Sequence, residues 1–328
     1  MSRVFFGIGN FQNHMSSEGW QLQMGLNESG YNLVGPKIDG CHNVRHYLES
    51  NPDVHTVILQ DKREWDVNHP ACLDKNEMYS EYTQLADRDD LFTLTVYKDA
   101  QNQADYHRLS AEEIGCNALI IYYHPRSIIG VAPWVQDYTL IRTYHTLNRD
   151  ELPAGIIFNA KYKKKSCVVS GAISAPYPLR RLAIGGMQSR HYYENGGEMV
   201  HLPHPGYHAN GFATPKYLGA LNHHRVALCC ASRYQYALRK IIEATAVGCR
   251  VITDLSEYDR LPAIDGNLIR VPPHIEIGDL NTVVSGAIRS WDESKQREFS
   301  EAAIDFYDYK KITRRLRDDI ESARGLIP

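Results

Sequence analysis

The sequence predicts an α/β fold in two halves, each built on a parallel β-sheet with helices between its strands, followed by helices at the C-terminal end. Three observations carry this expectation. Short apolar runs recur along the chain, each ending in a polar or glycine-containing turn. Segments with helical spacing follow several of them, which is the alternation of parallel strands and crossover helices. The length, 328 residues, exceeds what one core normally needs and makes two domains of about 150 residues each the natural division.

In chain order, the first half is expected to hold strands at 4–8, 31–34, 55–59, 92–97, 118–122 and 138–144, and the second at 167–170, 199–202, 225–229, 250–253 and 267–271. Two sheets of five or six strands follow. Between the halves, NAKYKKKSC (159–167) breaks the apolar pattern and gathers four lysines. It reads as a solvated linker, with phosphate contact as the alternative, and sets the domains at 1–160 and 161–328. From 293 to 326 the apolar residues Phe299, Ile304, Phe306, Tyr307, Ile312, Leu316 and Ile320 form the stripe of one or two amphipathic helices.

Composition narrows the function. With 36 basic and 39 acidic residues and a net charge of -3, no global field draws the chain onto nucleic acid or an anionic membrane, although a local basic patch remains compatible. Seven cysteines lie mostly in apolar runs with no Cys-x-x-Cys pair, as expected of reduced thiols. The first residues turn polar too soon for a secretory signal, and no run approaches the roughly 18 apolar residues of a membrane helix. The expectation is a cytoplasmic protein with no membrane span.

Two stretches carry candidate chemistry. ALRKIIEATAVGCRVITDL (237–255) reads as a helix ended by Gly248 and then a strand whose end exposes Thr253 and Asp254. Parallel sheets bind ligands beyond the carboxyl ends of their strands. Arg239, Lys240 and Glu243 on that helix are either binding groups or a solvated face with a Lys240–Glu243 ion pair. CVVSGAISAPYPLRRLAI (167–184) runs from a strand into Ser170-Gly171 and then a helix opened near Pro178, with Arg180 and Arg181 in its first turns. A glycine admits close backbone approach, a helix start offers unpaired N–H groups, and an arginine clamps phosphate in bidentate fashion, so a diphosphate fits. An ordinary turn with surface arginines is the competing reading.

This order of parts resembles the GT-B glycosyltransferases, which have two Rossmann-like domains facing across a cleft and hold a nucleotide-sugar chiefly on the second. The resemblance spans the chain in outline and is most specific from Ser170-Gly171 through Arg180 and from Arg239 through Glu243, Gly248 and Val251. It implies that Ser170, Gly171 and Arg180, with Arg239 or Lys240, serve the donor diphosphate and that Glu243 accepts from the ribose hydroxyls. Within the class the sequence is similar to phage DNA glucosyltransferases of the inverting kind, which carry an aspartate base after a strand of the first half. Many retaining members carry a Glu-x7-Glu pair, and the first position here is Gln235, which argues for inversion. The implied activity is hexosyl or pentosyl transfer from a nucleotide-sugar, a UDP-sugar foremost, to a glycan or to a hydroxymethylated base in phage DNA.

Inversion needs a general base. In order of preference the candidates are Asp61 in TVILQDKREW (56–65), Asp99 after FTLTVYK, and His145 in LIRTYHTLN (140–148), the last because histidine titrates near neutrality. Each is equally readable as a turn or capping residue. In GIGNFQNHMSSEGW (7–20), the third position of Gly-x-Gly-x-x-Gly is Gln12, so the dinucleotide fingerprint fails, and with it a nicotinamide oxidoreductase. The resemblance instead places Asn13, His14 and Glu18 at the acceptor side of the cleft, against a plain turn and helix cap. His201, His204 and His208 are separated by Pro203 and Pro205 and do not share a helix face as a zinc pair does. No metal or other cofactor is expected. The 21 tyrosines discriminate little, since packing accounts for most tyrosines. The rival from another class is a non-catalytic two-domain binder of nucleotide or sugar, which needs no base.

Overall fold

The computed structural model describes residues 2–7, 18–61, 85, 88–98, 104–152, 158, 160–171, 173–187, 199–202 and 213–325. The chain divides into two units. The first holds a six-stranded sheet of β1 (Ser2–Phe6), β2 (Asn32–Val34), β3 (Val54–Leu59), β4 (Phe92–Tyr97), β5 (Ala118–Ile121) and β6 (Thr139–Arg142), in the order β2-β1-β3-β4-β5-β6. The second holds β7 (Lys164–Ser170), β8 (Met199–Leu202), β9 (His224–Leu228), β10 (Arg250–Thr253) and β11 (Leu268–Arg270), in the order β8-β7-β9-β10-β11. All neighbouring strands run parallel. Every expected strand is present.

The two sheets share one topology, with an extra strand on the first. In each, the chain leaves its first strand for one neighbour and then crosses to the other side. The crevices at which strand order reverses therefore lie between β1 and β3 and between β7 and β9, and ligands of such sheets bind at these positions. The strands are apolar because helices cover both faces of a parallel sheet. In the first unit Val4, Phe6, Val57 and Leu59 pack with Val44 and Leu48 of α2 (Val44–Ser50). In the second, Val169, Leu228 and Ile252 pack with Leu179 and Ala183 of one helix and Leu280 and Val284 of another.

Local chemistry marks the helix ends. Asn43 caps α2 by accepting from His46 N at 2.8 Å. Asp292 does the same for Lys295 N at 2.9 Å, at the start of the helix Glu293–Phe306. Both follow the preference for short polar acceptors before the first turn.

The domain boundaries differ from expectation in two places. The second unit begins at His145, and the lysine-rich stretch lies inside it. Lys163 is not solvated: it is 6% exposed, and its Nζ donates to Val247 O at 2.6 Å and His224 O at 2.9 Å. Lys164 already belongs to β7. A run of lysines lowers mean hydropathy, but one long side chain can still turn inward to satisfy carbonyl groups.

The second difference is at the C-terminus. The amphipathic stripe is two helices that part at Tyr307 and Asp308, and the last one, Tyr309–Arg324, belongs to the first unit. It packs on α1 (Glu18–Glu28): a side chain at Gly25 would run into Thr313, Trp20 lies 6.0 Å from Tyr309 ring to ring, and Arg3 of β1 pairs with Glu321 at 2.6 Å. An apolar stripe states that a face is buried, not what covers it. Leu316→Ala in this helix is expected to cost about 2–5 kcal/mol. Hydrogen exchange should quicken in α1 and β1 while 167–253 keeps its protection; a loss spread over 167–253 would contradict the assignment.

Candidate functional site

The carboxyl end of β7 is the centre of the site. Gly171, with φ +108°, follows the strand, and its N–H donates to Leu202 O at 3.1 Å. The helix Pro178–Met187 then opens with proline at its first position, where a missing N–H costs nothing. That start aims Arg180 back over the glycine: a Cβ at 171 would stand 2.9 Å from its Nη1 and would run into Lys240 Nζ. Arg180 is only 2% exposed and lies flat on Tyr177, its Cζ 4.2 Å from the ring centroid. Arg181, its neighbour, points to solvent.

Lys240 arrives from the other side of the crevice, on the helix Arg239–Ala246 that follows β9. Its Nζ donates to Ser170 O at 3.4 Å and lies 5.8 Å from the Tyr217 ring centroid. Burial, and next the Arg180 guanidinium, hold its ammonium below the ordinary lysine range. Two cations thus converge over bare backbone, an arrangement that an anion relieves. Tyr217 OH and Ser170 Oγ are 2.8 Å apart, and burial pushes the Tyr217 phenol well up, so it stays protonated. His201 Nε2 lies 3.3 Å from Gly171 O, where the Nε2–H tautomer donates.

Arg239 and Glu243 form a separate pair on the same helix. They are 9% and 6% exposed, and Arg239 Nε meets Glu243 Oε1 at 3.2 Å. Neither the solvated face nor the Lys240–Glu243 pair is what the structure shows. The helix is buried along most of its length, from Ile241 through Ala246, and Gly248 ends it with φ +76° and no room for a side chain beside the Phe158 ring. The loop before it is pinned by Asp254 at the end of β10, whose Oδ1 accepts from Ala231 N at 2.6 Å. Burial pushes the Asp254 carboxyl up. Two non-glycine residues of that loop, Ser232 and Gln235, are left-handed at φ 64° and 58°, a strained state that gathers at ligand sites.

In the first unit Asp61 stands just past β3, at the crevice beside β1, where Gln60 N bonds Phe6 O at 3.1 Å. It is fully buried, and its Oδ2 accepts from Lys98 N at 3.4 Å. His145 is buried at the start of the second unit. Asp99, Asn13 and His14, with His204 and His208, lie outside the described residues, and Glu18 is described only as the first residue of α1. Among the described residues no group of three or more histidine, cysteine, aspartate or glutamate side chains is placed to hold a metal ion, and no helix is long and apolar enough to cross a membrane.

The structure therefore brings Ser170, Gly171, Arg180 and Lys240 together, sets Arg239 against Glu243 one turn on, and adds Tyr177, Tyr217 and His201. Tyr217 carried no sequence signal among so many tyrosines. His201 was legible only as part of a histidine-rich loop, whereas its place follows from register: β8 pairs with β7, Val169 opposite His201.

Comparison with known proteins gives fold relatives. No protein-family model and no curated protein sequence matches the chain. Among solved structures, sucrose-phosphate synthase from Thermosynechococcus elongatus is similar at TM-score 0.57 and 12% identity, over 99% of this chain and 100% of that one. An alpha-glucosyltransferase solved with UDP-glucose and DNA containing an abasic site is similar at 0.59 and 8%, over 98% and 99%. HepE of Anabaena, solved with UDP, is similar at 0.53 and 8%, over 98% and 100%. The fold is GT-B, two Rossmann-like units in one chain.

Two substitutions separate the charges of the site. Arg239→Ala leaves Glu243 buried without its cation and is expected to cost about 3–5 kcal/mol, read from the urea midpoint at unchanged slope. Lys240→Ala removes a disfavoured charge and is expected to leave stability at pH 7 level or raised. The folded chain holds the Lys240 proton less tightly than the unfolded chain, whose lysine titrates near about 10.4. Stability therefore rises with pH between the lowered folded value and that one. The rise should flatten in Lys240→Ala; urea midpoints from neutral pH to about 10 test it, and an unchanged rise would remove Lys240 as its source.

Proposed function

We propose that the chain is a glycosyltransferase that moves a hexose or pentose from a UDP-sugar to an acceptor hydroxyl, with inversion at the anomeric carbon and without a catalytic metal. The observation that carries this reading is the convergence of Arg180 and Lys240 over Gly171 at the crevice between β7 and β9. A diphosphate leaving group develops negative charge as the glycosidic bond breaks, and cations already fixed at that place stabilise it without reorganising. Glu243, held by Arg239, is the acceptor for the ribose hydroxyls. The fold likeness to proteins solved with UDP or UDP-glucose supports uridine as the base.

For the acceptor step we assign the base to Asp61, which occupies in the first sheet the crevice that Gly171 occupies in the second. The acceptor oxygen attacks the anomeric carbon from the face opposite the diphosphate, its proton passes to the Asp61 carboxylate, and the bond from sugar to phosphate oxygen breaks to release UDP. Lys98 N–H donates to Asp61 Oδ2 at 3.4 Å and helps to orient the carboxylate. Gln235, where a retaining pair calls for a carboxylate, favours this course. The acceptor is a hydroxymethylated base in phage DNA or a glycan, and the reduced thiols suit a cytoplasmic setting.

Thermal unfolding against UDP, GDP, ADP, CMP and NAD tests the donor site. UDP at 100 times its dissociation constant adds about 2.7 kcal/mol and raises the midpoint by a few degrees, while the others are expected to do less. Gly171→Ala, which forces a side chain into Lys240 and Arg180, and Glu243→Ala should both lose the shift. Asp61→Asn should keep the shift and lose turnover; full turnover in that variant would remove the base assignment. A folded protein that responds to no nucleoside diphosphate would return Arg180 and Lys240 to a structural role.

A further inference from the structure

Most charge on this chain is mixed, but the first half of the helix Tyr309–Arg324 is an exception. Residues 309–317 read YKKITRRLR, with Lys310, Lys311, Arg314, Arg315 and Arg317 and no acid, in a chain of net charge -3. Tyr309, Ile312, Thr313, Leu316 and Ile320 are buried. Lys310, Arg314 and Arg315 are exposed, with Lys311 and Arg317 half-exposed beside them. The cations therefore share the outward face of one rigid helix. Acids lie beside them too: Glu28 meets Lys310 at 3.1 Å, Asp318 meets Arg317 at 2.6 Å, Glu321 pairs with Arg3, and Asp319 follows on the same helix, so the five cations outnumber the acids around them.

We propose that this face binds the phosphate backbone of duplex nucleic acid. From Lys310 to Arg317 the helix rises about 10 Å, which spans about three phosphates at 3.4 Å per nucleotide along one strand. Such contacts set position without reading sequence. An anionic membrane offers the same charge, but a helix lying on a membrane inserts its apolar face, and here Ile312, Leu316 and Ile320 are buried in the first unit. Naming this nucleic acid as the acceptor rests on the transferase reading; the binding surface does not.

The experiment is fluorescence anisotropy with a labelled 20-base-pair duplex, comparing wild type with the double variant Arg314→Glu, Arg315→Glu. Wild-type affinity should fall steeply between 50 and 200 mM salt. The variant should bind at least tenfold more weakly at the lower salt, with a slope of log affinity against log salt shallower by about two. Its unfolding midpoint and its shift with UDP should match wild type; if charge reversal disturbs folding, Arg314→Gln alone should still lower the slope by about one. Equal affinity in wild type and folded variant, or wild-type binding indifferent to salt, overturns the proposal. So does binding to phosphatidylserine vesicles but not to the duplex. Duplex binding without any UDP shift would sink the transferase reading and leave this surface standing, whereas a UDP shift without duplex binding would do the reverse.

Discussion

Position 171 has no side chain, and the candidate site depends on that. With φ +108° the backbone turns at the end of β7 in a way that a β-carbon resists, and the space a β-carbon would fill is taken by the ends of Arg180 and Lys240. Arg180 is stacked on Tyr177, and Lys240 reaches a backbone carbonyl. The site is thus charged and preorganised, and burial first, with the Arg180 guanidinium second, lowers the proton affinity of Lys240.

Rigidity behind the site comes from buried polar contacts. Arg239 and Glu243 neutralise each other within the same helix. Asp254 ties the end of β10 to the loop after β9, and Lys163 caps carbonyls at the far end of the helix and of β9. Each contact would be costly to break, because it would leave a polar group dry. Together they fix the strand ends and the helix start from which Lys240 projects.

The last helix joins the far end of the chain to its beginning. Its apolar face packs on α1, and its other face carries five cations between Lys310 and Arg317. One element thus stabilises the first unit and shapes the field around it. Burial on one side also makes the charge effective, since cations on an ordered helix keep a fixed spacing that cations on a loose tail do not.

Much of this was legible in the amino-acid order. All eleven strands among the described residues follow from apolar runs and their turns, because a sheet covered on both faces demands continuous apolarity. Ser170-Gly171, Arg180, Lys240 and Glu243 stand out as candidates in the same way, because a strand end, a glycine and a basic helix start are local patterns. What was decided only in three dimensions is the company each side chain keeps. Local sequence shows Lys163 as one lysine among four, Arg239 and Lys240 as equivalent neighbours, and 309–324 as part of one apolar stripe with the helix before it. Tertiary packing buries Lys163, gives Arg239 to Glu243 and Lys240 to the glycine, and returns the last helix to the first unit. Periodicity records that a face is covered; the covering partner is tens or hundreds of residues away, and only the folded chain brings it near.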